Sequence, residues 1–269
     1  VKFVGSLVFL FFSLMRAAVP CWSGNEALVE SHGLRFHLIP EGTYILGSPL
    51  GEPGRYASEP LPYQVTLQAF YLAETETTNA QYARFLKDTG HPQPLYWGDK
   101  NLNDPRQPVV GVSWHDAVAF CAWLTRVTGV VHRLPLEVEW EAAARGGLTQ
   151  APYPWGTERP DAGGRYRANY YPDNFADDGF RFTAPVGSFP PNGYGLFDMA
   201  GNVAEWCADA TSPPGGGTPF AATEYRVLKG GSWFSRSRDL RCAARQFAPP
   251  TTADGFIGFR VLREIPRRP

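Results

Sequence analysis

The sequence predicts an α+β fold, built as a single loop-rich domain with little regular secondary structure. Three observations predict it. Twenty-eight glycines and 25 prolines in 269 residues make up about a fifth of the chain, well above ordinary usage, and leave no room for long helices or a coiled coil. Hydrophobic residues reach 43% and aromatics 14%, enough to fill a core and to exclude general disorder. Helical periodicity is confined to the first half, and no repeat or linker separates it from the strands and loops that follow. A net charge of −1 offers no basic surface for nucleic acid.

The elements follow in order. After Lys2 an almost unbroken apolar run covers residues 3–14. It is shorter than the roughly 20 residues of a bilayer span and matches the apolar region of a secretory signal. Small residues Ala17 and Ala18 close it, so residues 1–18 are read as a signal peptide and 19–34 as a leader. The folded domain is expected over 35–265. Arg16 is a poor residue three places before the cleavage point, which keeps a retained anchor as the alternative. The destination implied is the periplasm or the exterior.

Phe36, Leu38 and Ile39, the Pro40-Glu41-Gly42 turn and residues 44–46 read as strand, turn and strand. Residues 64–72 alternate Val65, Leu67, Ala69 and Tyr71 against polar neighbours, as one half-buried strand does. Thr78 and Gln81 form a capping box for a helix that presents Tyr82, Phe85 and Leu86 and stops at Gly90. Ser113 and Asp116 announce a second helix that carries Val118, Cys121 and Leu124 on one face and ends near Gly129. Residues 135–145 form a third, with Trp140 as a core anchor. Beyond Gly147 only short strands and loops can be read.

Four cysteines (Cys21, Cys121, Cys207, Cys242) contain no C-x-x-C pair, and five histidines lack zinc-hydrolase spacing. In an oxidising compartment the first candidate disulfide is Cys207 with Cys242; buried thiols are the alternative.

Blocks of residues recur in a characteristic order. They are Glu76-Thr77-Thr78-Asn79, Val112-Ser113-Trp114-His115-Asp116-Ala117, Arg133-Leu134-Pro135 and Glu139-Trp140-Glu141. A long stretch from Pro191 to Trp206 contains Asn192-Gly193-Tyr194-Gly195 and Gly201-Asn202-Val203-Ala204-Glu205. Lys229-Gly230-Gly231-Ser232-Trp233, Arg241-Cys242-Ala243-Ala244-Arg245 and Gly258-Phe259-Arg260 complete them. In these blocks the chain resembles the formylglycine-generating enzyme superfamily, the sulfatase-modifying factors, across about residues 36–263. The resemblance implies a single compact domain, distantly similar to C-type lectins; a monomer is expected.

It also implies calcium. Asp198 and Glu205 side chains with Gly201 and Val203 carbonyls match one family site, and Asn169 and Asp178 side chains with Tyr170 and Phe180 carbonyls match the other. Such hard oxygens suit Ca²⁺ as a structural brace. The family's activity is oxygen-dependent oxidation of a substrate cysteine to formylglycine, using two thiolates that bind Cu(I). Here Ser235 occupies the first thiolate position and the second has no counterpart, so the Cu(I) site is absent and the redox metal, if one is used, is undefined. Both family disulfides also lack a partner, at Ala144 and Val261.

Three functions remain. One is an exported oxidoreductase with exchanged chemistry, acting on a sulfatase-like protein or a secondary-metabolite peptide. In that reading Ser232, Trp233, Ser235 and Arg241 line the catalytic cleft, and Arg236 and Arg245 bind substrate. Another is a non-catalytic binding paralogue. Conventional formylglycine generation is a third.

Overall fold

The computed structural model describes residues 26–171, 178–211 and 225–266; the expected signal peptide, Cys21 and part of the expected leader lie outside them. The first strands are β1 (Leu28–Ser31), β2 (Leu34–Ile39), β3 (Gly42–Leu46), β4 (Tyr63–Leu67) and β5 (Phe70–Ala73). Helices α1 (Asn79–Thr89) and α2 (Trp114–Thr128), strand β6 (His132–Arg133) and helix α3 (Glu137–Ala144) follow. The second half holds β7 (Ala204–Thr211), β8 (Tyr225–Lys229), β9 (Gln246–Ala248), β10 (Ile257–Gly258) and β11 (Leu262–Arg263). They build a five-stranded sheet β1-β2-β5-β11-β6, a four-stranded sheet β10-β7-β8-β9 and the hairpin β3-β4.

Both helix N-termini close as their sequences dictate. The Thr78 and Ser113 hydroxyls accept the N–H of Gln81 and Asp116, whose side chains reach back, and Gly90 and Gly129 end the helices in the left-handed conformation. Capping relieves the orphan amides, and glycine enters that conformation without a Cβ penalty.

Three expectations change. Residues 64–72 are two strands: β4 pairs with β3, whereas β5 pairs with β2 and β11, so the chain changes sheet at Gln68-Ala69. For the same reason β2 and β3 do not form a hairpin; β2 pairs with β1, which lies inside the stretch read as leader, and the folded region starts before Arg35. On α2 the buried face carries Ala117, Phe120, Cys121, Trp123 and Leu124 while Val118 is exposed.

One core cluster gathers Phe36, Tyr82, Phe120, Trp123, Trp206 and Phe259; a second gathers Ile39, Phe70, Leu72, Trp140 and Cys242. Between them sits a buried ion pair. Arg260 Nε donates to Glu205 Oε1 and Oε2 at 2.9 and 2.7 Å, and its terminal nitrogens reach the carbonyls of Ala73 and Phe197 at 3.1 and 2.9 Å. Trp140 Nε1 donates to the same carboxylate at 2.6 Å. The pair thus ties β5, β7, α3 and the Phe197 loop together.

Arg260→Ala strands Glu205 in the interior and is expected to cost about 3–5 kcal/mol in urea unfolding, against less than about 1 kcal/mol for the exposed Arg35→Ala. His132 is buried, with Nδ1 on the Val130 carbonyl and Nε2 unpartnered, and burial holds its pKa down at about 4. Its neutral form therefore stabilises the fold fully above the unfolded value of about 6.5, and that stability drains as pH falls towards 4. Equilibrium unfolding across this window should show the loss, and His132→Gln should flatten it.

Candidate functional site

Strand β8 delivers the chain to Gly230 and Gly231, whose φ values of 88° and 68° only glycine adopts readily. A Cβ at Gly230 would also stand 3.1 Å from the Trp140 ring. The turn that follows closes on itself. Ser235 N–H donates to the Ser232 carbonyl at 2.9 Å, Ser232 N–H to Ser235 Oγ at 3.0 Å, and Phe234 N–H to Ser232 Oγ at 3.2 Å. The two hydroxyls lie 3.2 Å apart. Both serines thus act as turn-closing groups, and among the described residues neither hydroxyl is hydrogen-bonded to a base that would activate it.

Trp233 is anchored from both ends, by its backbone N–H on the Asn202 carbonyl at 2.9 Å and by Nε1 on the Gly255 carbonyl at 3.0 Å. Its ring packs edge-on to Phe182 and Phe234. Phe234 stacks on Phe256, touches Tyr171 and remains 58% exposed. Arg236 lies over the Tyr171 ring at 5.2 Å and Arg181 over Phe182 at 5.7 Å. The result is an aromatic shelf with an arginine at two of its edges.

Two arginines expected here are elsewhere engaged. Arg241 is 1% exposed and serves as a bracket: it bonds Glu52 at 2.7 Å, pairs with Glu59, and donates to the carbonyls of Gly54 and Arg238. Arg245 pairs with Glu137 at 2.6 Å and lies over Phe247. Both guanidinium groups are thus paired with carboxylates of the scaffold. Glu59, a residue that sequence spacing did not single out, is kept ionised by Arg241 and by hydrogen bonds from Ser48 and the Tyr56 N–H, which outweigh burial and lower its pKa.

Cys121, Cys207 and Cys242 are free and buried, so the Cys207–Cys242 disulfide does not form. Burial pushes the Cys242 thiol up to about 12 and raises the other two as well. Held protonated, they are poor nucleophiles and poor soft-metal ligands.

The two calcium sets differ in fit. Asn169 is buried; its amide nitrogen donates to the Phe182 carbonyl at 2.8 Å, and its Oδ1 has no partner. Asp178 folds back to accept the N–H groups of Tyr170 and Phe180 at 3.0 and 2.9 Å. An orphaned amide oxygen, with a carboxylate held on the backbone N–H of the next residue, is a hard donor set that fits a hard cation. In the other set, Asp198 accepts the Gly187 N–H at 2.7 Å, and both Gly201 and Asp198 have positive φ, at 78° and 55°. A Cβ at Gly201 would collide with the Asn169 carbonyl at 2.2 Å, so the loops of the two sets are packed together. Glu205, however, is saturated by Arg260 and Trp140 and does not fit the ligand role the resemblance assigns to it.

Glu76 opens the Glu76-Thr77-Thr78-Asn79 block and has no site role in the sequence. The structure places it beside Asp198, wholly buried, with neither carboxylate oxygen hydrogen-bonded. Burial, followed by the Asp198 charge, raises its pKa well above the ordinary range, and burial raises that of Asp198 to about 6.

A family model described as the sulfatase-modifying factor enzyme 1-like domain matches residues 30–265. The formylglycine-generating enzyme of Streptomyces coelicolor is 35% identical, over 84% of this chain and 88% of its own. The inactive C-alpha-formylglycine-generating enzyme 2 of Mus musculus is 42% identical, over 60% of this chain and 50% of its own. Among solved structures, PvdO from Pseudomonas aeruginosa superposes with a TM-score of 0.77 at 31% identity, covering 88% of this chain and 98% of that one.

Cation removal should expose any calcium brace. Excess EGTA is expected to lower the melting temperature by several degrees and added Ca²⁺ to restore it, measured by scanning calorimetry. An unchanged melting temperature would count against both sites.

Proposed function

Since the chain belongs to the sulfatase-modifying factor family, we propose that it recognises a peptide or protein segment on the aromatic shelf and has left behind the paired-thiolate copper chemistry. The observation that carries this reading is the Ser232–Ser235 turn. The residue at the first thiolate position is a serine that closes a backbone turn, while Phe234 next to it is presented to solvent. A hydroxyl is a hard, weakly acidic ligand and does not replace a thiolate on Cu(I).

The shelf favours a particular ligand chemistry. Large, rigid aromatic faces give contact area at small entropic cost, and Arg181 and Arg236 favour carboxylates. The expected ligand is an acidic polypeptide segment that contains an aromatic residue. Export by the 1–18 signal would bring the domain to such partners in the periplasm or outside the cell, as a monomer braced by calcium rather than by disulfides. The similarity to the inactive mouse paralogue is in keeping with a binding role.

A second reading is an oxidoreductase that modifies a peptide or protein with exchanged chemistry. It is favoured by 35% identity to a formylglycine-generating enzyme across most of both chains, and by the likeness to PvdO. No formylglycine is expected from it.

One experiment separates these readings. Fluorescence titration with a library of acidic, aromatic peptides should yield a binder that Phe234→Ala with Arg236→Glu weakens at least tenfold, at an unchanged melting temperature. Equal binding by the double variant would overturn the shelf assignment. Peptide-dependent oxygen consumption would favour the oxidoreductase. Mass spectrometry of a co-expressed cysteine-type sulfatase is expected to find unmodified cysteine; an aldehyde would overturn the loss of the original activity.

A further inference from the structure

Strands β2 and β3 run opposite β5 and β4 in one frame: Ile39 faces Phe70 before Pro40-Glu41, and Gly42 faces Leu67 after it. In that frame Glu41 stands opposite Gln68. Among the described residues, these two exchange no backbone hydrogen bond, and the neighbouring Pro40 carbonyl accepts the Tyr44 hydroxyl at 2.5 Å. The ladder is open at this point, which leaves the main-chain groups of Glu41 and Gln68 to solvent or to a ligand.

A groove of about 700 Å³ adjoins the gap, with Arg133, Glu139 and Glu264 in its wall. Strands β2 and β11 flank β5, so the backbones that carry Glu41 and Glu264 run two strand spacings, about 10 Å, apart. Arg133 holds Glu139 through two nitrogens at 2.7 and 2.8 Å, and the Leu136 N–H adds a third bond at 2.7 Å. Its Nε reaches one oxygen of Glu264 at 2.9 Å. Among the described residues, no donor meets the other Glu264 oxygen or the exposed Glu41 carboxylate. Three carboxylates share the groove with one guanidinium, and the negative charge left over sits on Glu41 and Glu264. Leu67, Phe70 and Ile265 add apolar surface, which suits the aliphatic stems of long basic side chains.

We propose that this groove binds an extended basic segment of a polypeptide, with one arginine or lysine on Glu41 and a second on Glu264. In an extended chain, side chains two residues apart are separated by roughly 7 Å, and their own length spans the remaining distance. The open ladder offers main-chain hydrogen bonds to such a segment, and the paired carboxylates select its charge. Arg133 and Glu139 fix Glu264 in place and are not themselves the ligand groups. The groove shares no residue with the aromatic shelf, whose arginines favour the opposite charge, so the proposal does not depend on what the shelf binds.

Fluorescence anisotropy with a labelled, end-blocked peptide that alternates arginine and serine tests the proposal. The wild type should bind it at low salt and release it as salt rises, and should not bind the glutamate–serine counterpart. Glu41→Gln with Glu264→Gln should weaken binding at least tenfold at an unchanged melting temperature. If that pair lowers the melting temperature, Glu41→Lys, a change at an exposed side chain, should by itself weaken binding at least tenfold. The shelf variant Phe234→Ala with Arg236→Glu should bind the arginine peptide as the wild type does. Absence of binding, or equal binding by the Glu41 and Glu264 variants, would overturn the proposal. So would binding that emerges only when Arg267 and Arg268 are replaced by serine, because the chain's own arginines would then be the ligand.

Discussion

The Arg260–Glu205 pair is the constraint around which the domain is organised. Neither partner touches solvent, and their hydrogen bonds reach two sheets, a helix and a loop. Taking both charges out of water is costly, and their attraction repays that cost only because nearly every donor and acceptor is satisfied. The pair therefore contributes registration more than raw stability: β7, β5 and α3 can meet in just one way around it. The shelf inherits its position from this registration, since Trp233 hangs on Asn202, a few residues from Glu205 on the same stretch of chain.

The same device recurs wherever regular structure is thin. Arg241 joins the Gly47–Pro62 region to the turn after Leu240 through Glu52 and Glu59. Arg145 bonds Glu141 and the carbonyls of Gly47 and Ala151, and Glu141 in turn receives the Gly47 N–H and stands near the buried Lys229. In a chain with few long strands, most loop carbonyls cannot find sheet partners, and guanidinium groups answer several at once. Arg241 and Arg245, which the sequence offers as substrate anchors, both make such pairs, with Glu52 and Glu59 and with Glu137.

What sequence made legible was local. The helix caps at Thr78 and Ser113, the stops at Gly90 and Gly129, the buried Trp140 and the glycine pair before Ser232 are each determined within a few residues, and each is found where expected. What was not legible depends on residues far apart in the chain. The change of sheet at Gln68-Ala69 follows from which strands lie on either side, which alternation within 64–72 does not encode. Glu76 is only one residue of a motif block ahead of a helix until its burial near Asp198 is seen, and Glu205 reads as a ligand until its pairing with Arg260 is seen. The serine at the thiolate position was legible, but its role as a turn closer was not.

The buried sulfhydryls have a consequence for how the molecule reports on itself. Cys121 sits on α2 in the first core cluster, whereas Cys207 on β7 and Cys242 ahead of β9 share the second. None of the three is linked to another, and each is screened from aqueous reagents while the fold is closed. An alkylating agent in the buffer therefore marks each position at the frequency with which its own surroundings open. The order in which the three acquire label would read out the sequence of partial unfolding, with no probe engineered in.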